Sequence, residues 1–257
     1  MPWTLAHPAA ILPLRGLGRF RLPLAALVVG SFSPDFGYYL NQFRLAAFAH
    51  TPLGVLLICV PAGALALSLF TAVRRDLINL LPQPHRGALL SSLSAYESAR
   101  PLEHLLAAVV GLFVGAATHV VWDSFTHASG YAVQLLPVLQ TPVLTVGARP
   151  MYVYSLLQHA STVTGLCAML LVYRRWLGQQ QQASKTDARY ERRRYLVLAG
   201  CLVVACTAGV LLAATKSATG DTGSSINLFR VVVLTTNAFS ILLVLAALMG
   251  RERGNAT

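Results

Sequence analysis

The run His119-Val-Val-Trp-Asp123-Ser-Phe-Thr126-His127-Ala-Ser-Gly130 closes a long apolar stretch with two imidazoles and a carboxylate at four-residue intervals. On a helix, residues spaced i, i+4, i+8 form one slowly drifting stripe. A histidine and a carboxylate one turn apart can reach the same metal ion, which is the spacing logic of the zinc-binding HExxH helix. Imidazole nitrogen and carboxylate oxygen suit zinc or a similar divalent ion. Two ligands on one helix do not complete a site, and His7, Asp35 and His50 are the candidates for the rest. An ionisable group inside an apolar segment costs a few kcal/mol at a helix centre on insertion scales and is by default a functional hypothesis. Two other readings fit the same spacing. His119 and Asp123 can hydrogen-bond each other and lock two helices together, or the stripe can serve as a proton or ion pathway.

The elements that must carry these groups are membrane helices. The chain has 257 residues, 55% hydrophobic and 11% charged, with a mean hydropathy of +0.60. A soluble domain carries about a quarter charged residues. A span needs about 20 apolar residues, and five segments qualify: 52–73, 104–126, 152–173, 195–215 and 228–249. The expected fold is all-α, a polytopic membrane helical bundle forming one integral membrane domain over 1–257. Residues 1–175 form the half with the candidate metal site, 174–194 a basic cytoplasmic loop, and 195–250 two packing spans. The net charge of +11 does not indicate nucleic acid, because the charges sit in loops between apolar runs. The Gln-rich basic loop 174–194 reads as a positive-inside loop near anionic lipid. Cys59, Cys167, Cys201 and Cys206 lie in apolar segments without CxxC spacing and behave as small hydrophobes. The N-terminus has no basic region before its apolar stretch and does not read as a cleaved signal peptide.

Of the 20 Lys and Arg residues, 16 fall on one side of these spans. By the positive-inside rule that side is cytoplasmic. Four, Arg44, Arg149, Lys216 and Arg230, fall on the other. His50, the end of the second span and the start of the third then meet at the non-cytoplasmic face of an inner membrane. The apolar stretches 5–14 and 22–34 are each short for a crossing, and "RGLGR" between them suits a tight turn. A re-entrant hairpin, tolerated when buried in protein, would bring His7 and Asp35 to the same level. A sixth span over 22–43 is the alternative. Ser33-Pro34-Asp35 can also be read as a helix cap, and Thr51 as the cap of a helix started by Pro52. His85 reads as a solvated loop residue and His104, beside Glu103, as part of a helix-end pair. His159, one turn into the third span, is a further candidate ligand or supporting group.

"HP" near the N-terminus, "LVVGSFSPDF", a histidine opening the next span and "HVVWDSFTHASG" together resemble an uncharacterised family of bacterial multi-pass membrane proteins beginning PFTLSHPAAxLPL, a domain of unknown function. The resemblance covers most of 1–175. More distantly the arrangement is similar to the membrane-bound metal-dependent hydrolases, with their GH, PDxDH, HRGxTHS and HxxxDxxTxxG elements. That similarity implies that His7, Asp35, His50, His119 and Asp123 hold a metal, with Thr126 and Gly130 completing the last motif. The sequence departs from the pattern after Asp35, where Phe36, Gly37 and Tyr38 replace the second aspartate and the histidine, and before His50, where no HRG occurs. One metal is therefore expected rather than two.

The function expected is a metal-dependent hydrolase. Asp35 or Asp123 would serve as base, and His127, Thr126 and His159 are possible additions to the site. The substrate would be a membrane lipid or lipid-linked ester or phosphoester. The alternatives are a non-catalytic membrane scaffold with a structural metal or polar cluster, and an ion or proton transporter. The transporter is disfavoured by the lack of an internal repeat. The last two spans carry no ionisable residue in their apolar stretches, and Gly200 and Gly209 are available for close helix contact. Nothing in the sequence sets an oligomeric state.

Overall fold

Small residues placed four apart decide how the N-terminal half packs. In the computed structural model, which describes residues 4–16, 22–96, 101–146, 149–180, 188–217 and 224–255, helix α1 (Leu24–Phe32) lies along a later, longer helix. It buries Ala26, Leu27, Gly30 and Ser31. The facing stripe on the longer helix runs Gly111, Leu112, Gly115, Ala116 and on to His119. A Cβ at Gly30 would run into the Leu112 backbone, and one at Gly115 into the Leu27 carbonyl. Such small-residue contacts let backbones approach closely without a hydrophobic driving force.

Before α1, residues Thr4–Ile11 and Pro13–Gly16 form 3-10 turns. After it the chain shortens its steps. A 3-10 turn at Ser33–Asp35 contains Pro34, and α2 (Phe36–Tyr39) and α3 (Phe43–Ala49) come next. Region 22–43 is therefore a series of short elements and not one span. At nine residues, α1 is roughly 14 Å long, about half the hydrocarbon thickness. The "RGLGR" turn falls largely on 17–21, outside the described residues.

Helix α4 (Pro52–Gly54) is a single turn capped by Thr51, whose hydroxyl accepts from the Gly54 N–H at 3.0 Å. It passes through a π-helical turn, Val55–Cys59, into α5 (Val60–Leu80). The helix continues past Arg74 because Arg74, Arg75 and Asp76 need not break it and no proline intervenes before Pro82. Helix α6 (His85–Tyr96) occupies a stretch expected to be loop. Helix α7 (Pro101–Thr126) begins on a proline, which suits a first helical position, and ends where Gly130 turns the chain. A Cβ on Gly130 would strike the Ser124 carbonyl. Then come α8 (Tyr131–Leu135) and an antiparallel pair, β1 (Pro142–Val146) and β2 (Arg149–Tyr152), an addition to the all-α plan. Three long helices complete the chain: α9 (Val153–Gly178), α10 (Ala188–Ser217) and α11 (Ser224–Asn255).

Five segments are long and apolar enough to cross a membrane: Pro52–Leu80, Leu105–Leu135, Val153–Gly178, Ala188–Ala214 and Leu228–Arg251. Leucines on them such as Leu56, Leu65, Leu106 and Leu211 are exposed, as lipid-facing residues would be. The protein is a multi-pass helical membrane protein. Its residues pack as two units, 1–68 with 99–176, and 69–98 with 177–257. In the second unit α10 meets α11 at Gly209, where a Cβ would collide with Thr235. Gly200, in contrast, faces open space.

Candidate metal centre

The buried stripe of α7 does not stop at its small residues. Leu112, Ala116, His119, Asp123 and Thr126 succeed one another at intervals of four and three residues, all buried. The face that packs α1 therefore also delivers His119 and Asp123 to the interior. Close approach at Gly30 and Gly115 brings the last turn of α1 within reach, and the His119 Nδ1–H donates to the Ser31 carbonyl at 2.7 Å. The turn after α1 supplies Asp35, which is 1% exposed. Helix α3 ends at His50, whose Nδ1–H donates back to the Ala46 carbonyl at 2.8 Å. The N-terminal 3-10 segment supplies His7.

These hydrogen bonds fix the chemistry of the two imidazoles. A carbonyl only accepts, so each Nδ1 carries a proton, and each ring, when neutral, presents a lone pair at Nε2. The two lone pairs face the same two carboxylates. His50 Nε2 lies 3.6 Å from Asp35 Oδ1 and 3.5 Å from Asp123 Oδ2. His119 Nε2 lies 3.6 Å and 3.4 Å from the same two atoms. Acceptor faces acceptor four times, and none of these pairs closes a hydrogen bond. Charge-assisted N–H···O contacts are shorter, about 2.7–2.9 Å. Each of these four separations is close to the distance between neighbouring ligands of an ion with bonds of about 2.0–2.1 Å, about 3.3–3.4 Å in a tetrahedral site. Metal-bound histidines characteristically donate their other nitrogen to a carbonyl or carboxylate, as both rings do here. The donor set fits a divalent cation.

The remaining groups surround this core. His7 stacks on His119, with ring centroids 3.6 Å apart, and its Nε2 lies 3.5 Å from Asp123 Oδ1. Burial, with the His119 imidazole adding to it, pushes the His7 pKa down to about 3, so the ring is neutral. His127 Nδ1 also lies 3.5 Å from Asp123 Oδ1 and 3.1 Å from the Asp123 carbonyl. Thr126 is buried and turned back to its own helix, 3.4 Å from the Trp122 carbonyl and 3.3 Å from His127 Nδ1. Of the seven buried side-chain nitrogens and oxygens without a hydrogen-bond partner among the described residues, six belong to His7, Asp35, His119, Asp123 and His127. His7, His119 and Asp123 form one group of possible ligands, and Asp35, His50 and His119 another.

Asp35 stands at the N-cap position of α2 but makes no capping bond. Its Oδ2 accepts from the Thr4 hydroxyl at 2.6 Å, and Thr4 accepts from the Tyr39 hydroxyl at 3.1 Å. Burial pushes the Tyr39 phenol above its ordinary pKa and keeps it a donor. This relay aims Oδ1 at the two histidines. Thr4 and Tyr39 escape a search for ligands because neither is one. The signal for Thr4 is its place three residues before His7, since a 3-10 turn puts i and i+3 on one face. His159 does not converge with the others. It is exposed on α9 and belongs to none of the close His–Asp pairs. His85 opens α6 in the other unit, and the side chains of Glu103 and His104 are not among those described.

The chain belongs to a family described as a domain of unknown function, DUF4184, whose pattern matches residues 1–248. No curated protein and no solved structure matches it.

Proposed function

We propose that this protein is a membrane-embedded, metal-dependent hydrolase of a lipid or lipid-linked ester or phosphoester, with its centre toward the non-cytoplasmic face of the inner membrane. The observation that carries the reading is the convergence of His50 Nε2 and His119 Nε2 on Asp35 Oδ1 and Asp123 Oδ2 at 3.4–3.6 Å, with no hydrogen bond closed between them. These four atoms would hold the ion. Zinc is the choice best matched to nitrogen and oxygen donors at this spacing. When bound, such an ion supplies Lewis acidity and lowers the pKa of water to about 7.

The chain's own residues account for the rest. Thr4 and Tyr39 orient Asp35. Ser31 and Ala46 hold the tautomers of His119 and His50. Asp123 turns one oxygen toward the ligand set and the other toward His7 and His127, so Oδ1 is placed to take a proton from water. The side chains of His50 and His127 are 20% and 25% exposed and form the open side of an otherwise buried cluster. A closed structural metal that staples three segments is the second reading. It is favoured by the near-complete burial of His119 and Asp35.

Metal content per chain, measured by elemental mass spectrometry on detergent-purified protein, tests the centre. About one equivalent is expected in the wild type by the one-ion reading, and background in His119→Ala/Asp123→Ala. Hydrolysis of lipid esters and phosphoesters by the metal-loaded protein, but not by the variant, separates enzyme from staple. A wild type that holds no metal after zinc addition sinks both.

A further inference from the structure

The 3-10 segment, α7 and α9 border an open-sided cavity of about 300 Å³ in the same unit as the His–Asp cluster, at the lower end of the usual range for small-molecule sites. Ala6, Ala9 and Ala10 line one side, Gly165 and Ala168 another, and Trp122 borders it. Two hydroxyls also border it, but they are turned inward on their own helix. Ser161 donates to the Gln158 carbonyl at 3.1 Å and Thr164 to the Ala160 carbonyl at 2.9 Å. One wall residue breaks the apolar lining. His7 has a side chain only 1% exposed, and neither ring nitrogen has a hydrogen-bond partner. Such a buried, unsatisfied group calls for a partner.

We propose that the cavity binds one acyl chain of an ester lipid, with the ester carbonyl accepting a hydrogen bond from the His7 ring N–H. Three observations select this ligand. The lining asks for a long apolar group with one hydrogen-bonding end. Gly165 and Ala168 lie near the middle of α9, an apolar helix long enough to span, where the surrounding medium is acyl chain. The cavity also meets the His–Asp cluster at His7, whose ring stacks on His119, so a carbonyl held there is beside the candidate metal ligands. The inference names the substrate class of the hydrolase, and any step after binding rests on the hydrolase reading.

The test uses the full chain, purified with its metal and reconstituted into phosphatidylcholine vesicles. One arm contains a trace of phosphatidylcholine with a diazirine midway along one acyl chain, and a second arm a diazirine fatty acid. After irradiation, adducts are mapped by mass spectrometry and compared with those on the lipid-facing helix α11. With the ester lipid, labelling of 6–10 and 161–168 is expected to exceed that of α11. It should fall to the α11 level in Ala168→Phe while metal per chain stays unchanged. Wild-type labelling no higher than α11 overturns the proposal, as does labelling by the fatty acid alone. Labelling that persists in protein devoid of metal sustains the cavity while removing the hydrolase reading. Bound metal without selective labelling does the reverse.

Discussion

Each of the two units holds a polar cluster, and the two are built on opposite logic. In the second unit Glu191 accepts from the Gln83 backbone N–H at 2.8 Å, from Arg86 at 3.3 Å and from Arg194 at 3.1 Å. Arg194 also donates to the Asn79 carbonyl at 3.0 Å. Donors meet acceptors, and the side chains involved are 12–26% exposed. The first unit gathers His7, Asp35, His50, His119 and Asp123 in deeper burial, and there lone pairs meet lone pairs. Among the described residues, one atom of the second cluster, an Arg86 nitrogen, is buried without a partner, against six in the first with His127 counted. A polar cluster that satisfies itself explains its own presence. One in which imidazole nitrogens face carboxylate oxygens without closing a hydrogen bond has room for a cation, which is why the first cluster and not the second reads as a ligand site.

The sharpest break of that contrast is an isosteric one. Asp123→Asn keeps shape and removes charge. If the cluster awaits a cation, metal per chain should drop to background. Loss of a single ligand from a buried charged set also costs about 3–5 kcal/mol of stability, read as a lower thermal midpoint. A purely structural cluster predicts the opposite, because the new amide N–H groups would donate to the bare His50 or His119 nitrogen and raise the midpoint. Elemental analysis and a thermal scan on the same preparation decide.

Next in size is the packing beneath the site. Gly115→Leu places a side chain where the Leu27 carbonyl and Ser31 N–H lie. Overpacking of this kind costs about 1–3 kcal/mol or more. Because His119 reaches Ser31 only when α1 is in close contact, the metal should be lost as well. Gly200→Leu, facing open space in the other unit, is the matched control and should retain both metal and stability. Metal retention in Gly115→Leu would show that the ligands assemble without the close helix contact.

A smaller effect is expected one step away from the ligands. Thr4→Val removes the hydroxyl that fixes Asp35 while leaving all four ligand atoms. Loss of such an orienting partner weakens metal binding by about 10–100-fold, measurable by competition with a chelator. Thr4→Ser should restore the affinity. An unchanged affinity in Thr4→Val would mean that Asp35 is held by its backbone alone.

These tests also mark how far the sequence could be read. His119, Asp123 and His127 were legible because four-residue spacing on an apolar helix is visible in one line of text. The five long helices came from composition, with errors confined to their ends. Arg74–Leu80 and Ala188–Arg194 carry charges yet remain helical, since charge ends a membrane segment without ending a helix. His7, Asp35 and His50 come from three other segments, and spacing alone could not join them. A resemblance in motif order named them, and the structure brings them together. The Ser31 and Ala46 carbonyls were invisible, because every residue has one. The strands at 142–152 and the π turn at Val55–Cys59 left no periodic pattern long enough to detect. His159 looked suitable by height in the membrane but faces outward, a matter of helix rotation that a span's apolar run does not set.

The smallest expected effect is the mirror of the first. Glu191→Gln makes the same chemical change as Asp123→Asn, an amide for a carboxylate, in the cluster that satisfies itself. The amide oxygen keeps either the Gln83 N–H or the two arginines, which the carboxylate holds on different oxygens, and the charge is lost from a partly exposed group. Exposed ion pairs contribute about 0–1 kcal/mol, so the thermal midpoint should move little. Metal content should not move at all, because no candidate ligand lies in that unit among the described residues. The pair of variants is more informative than either alone. Two amide substitutions with equal consequences would mean that burial, not the mismatch of lone pairs, sets their cost. Loss of metal in Asp123→Asn beside an indifferent Glu191→Gln would tie the difference to the unclosed contacts between His50, His119 and the two aspartates.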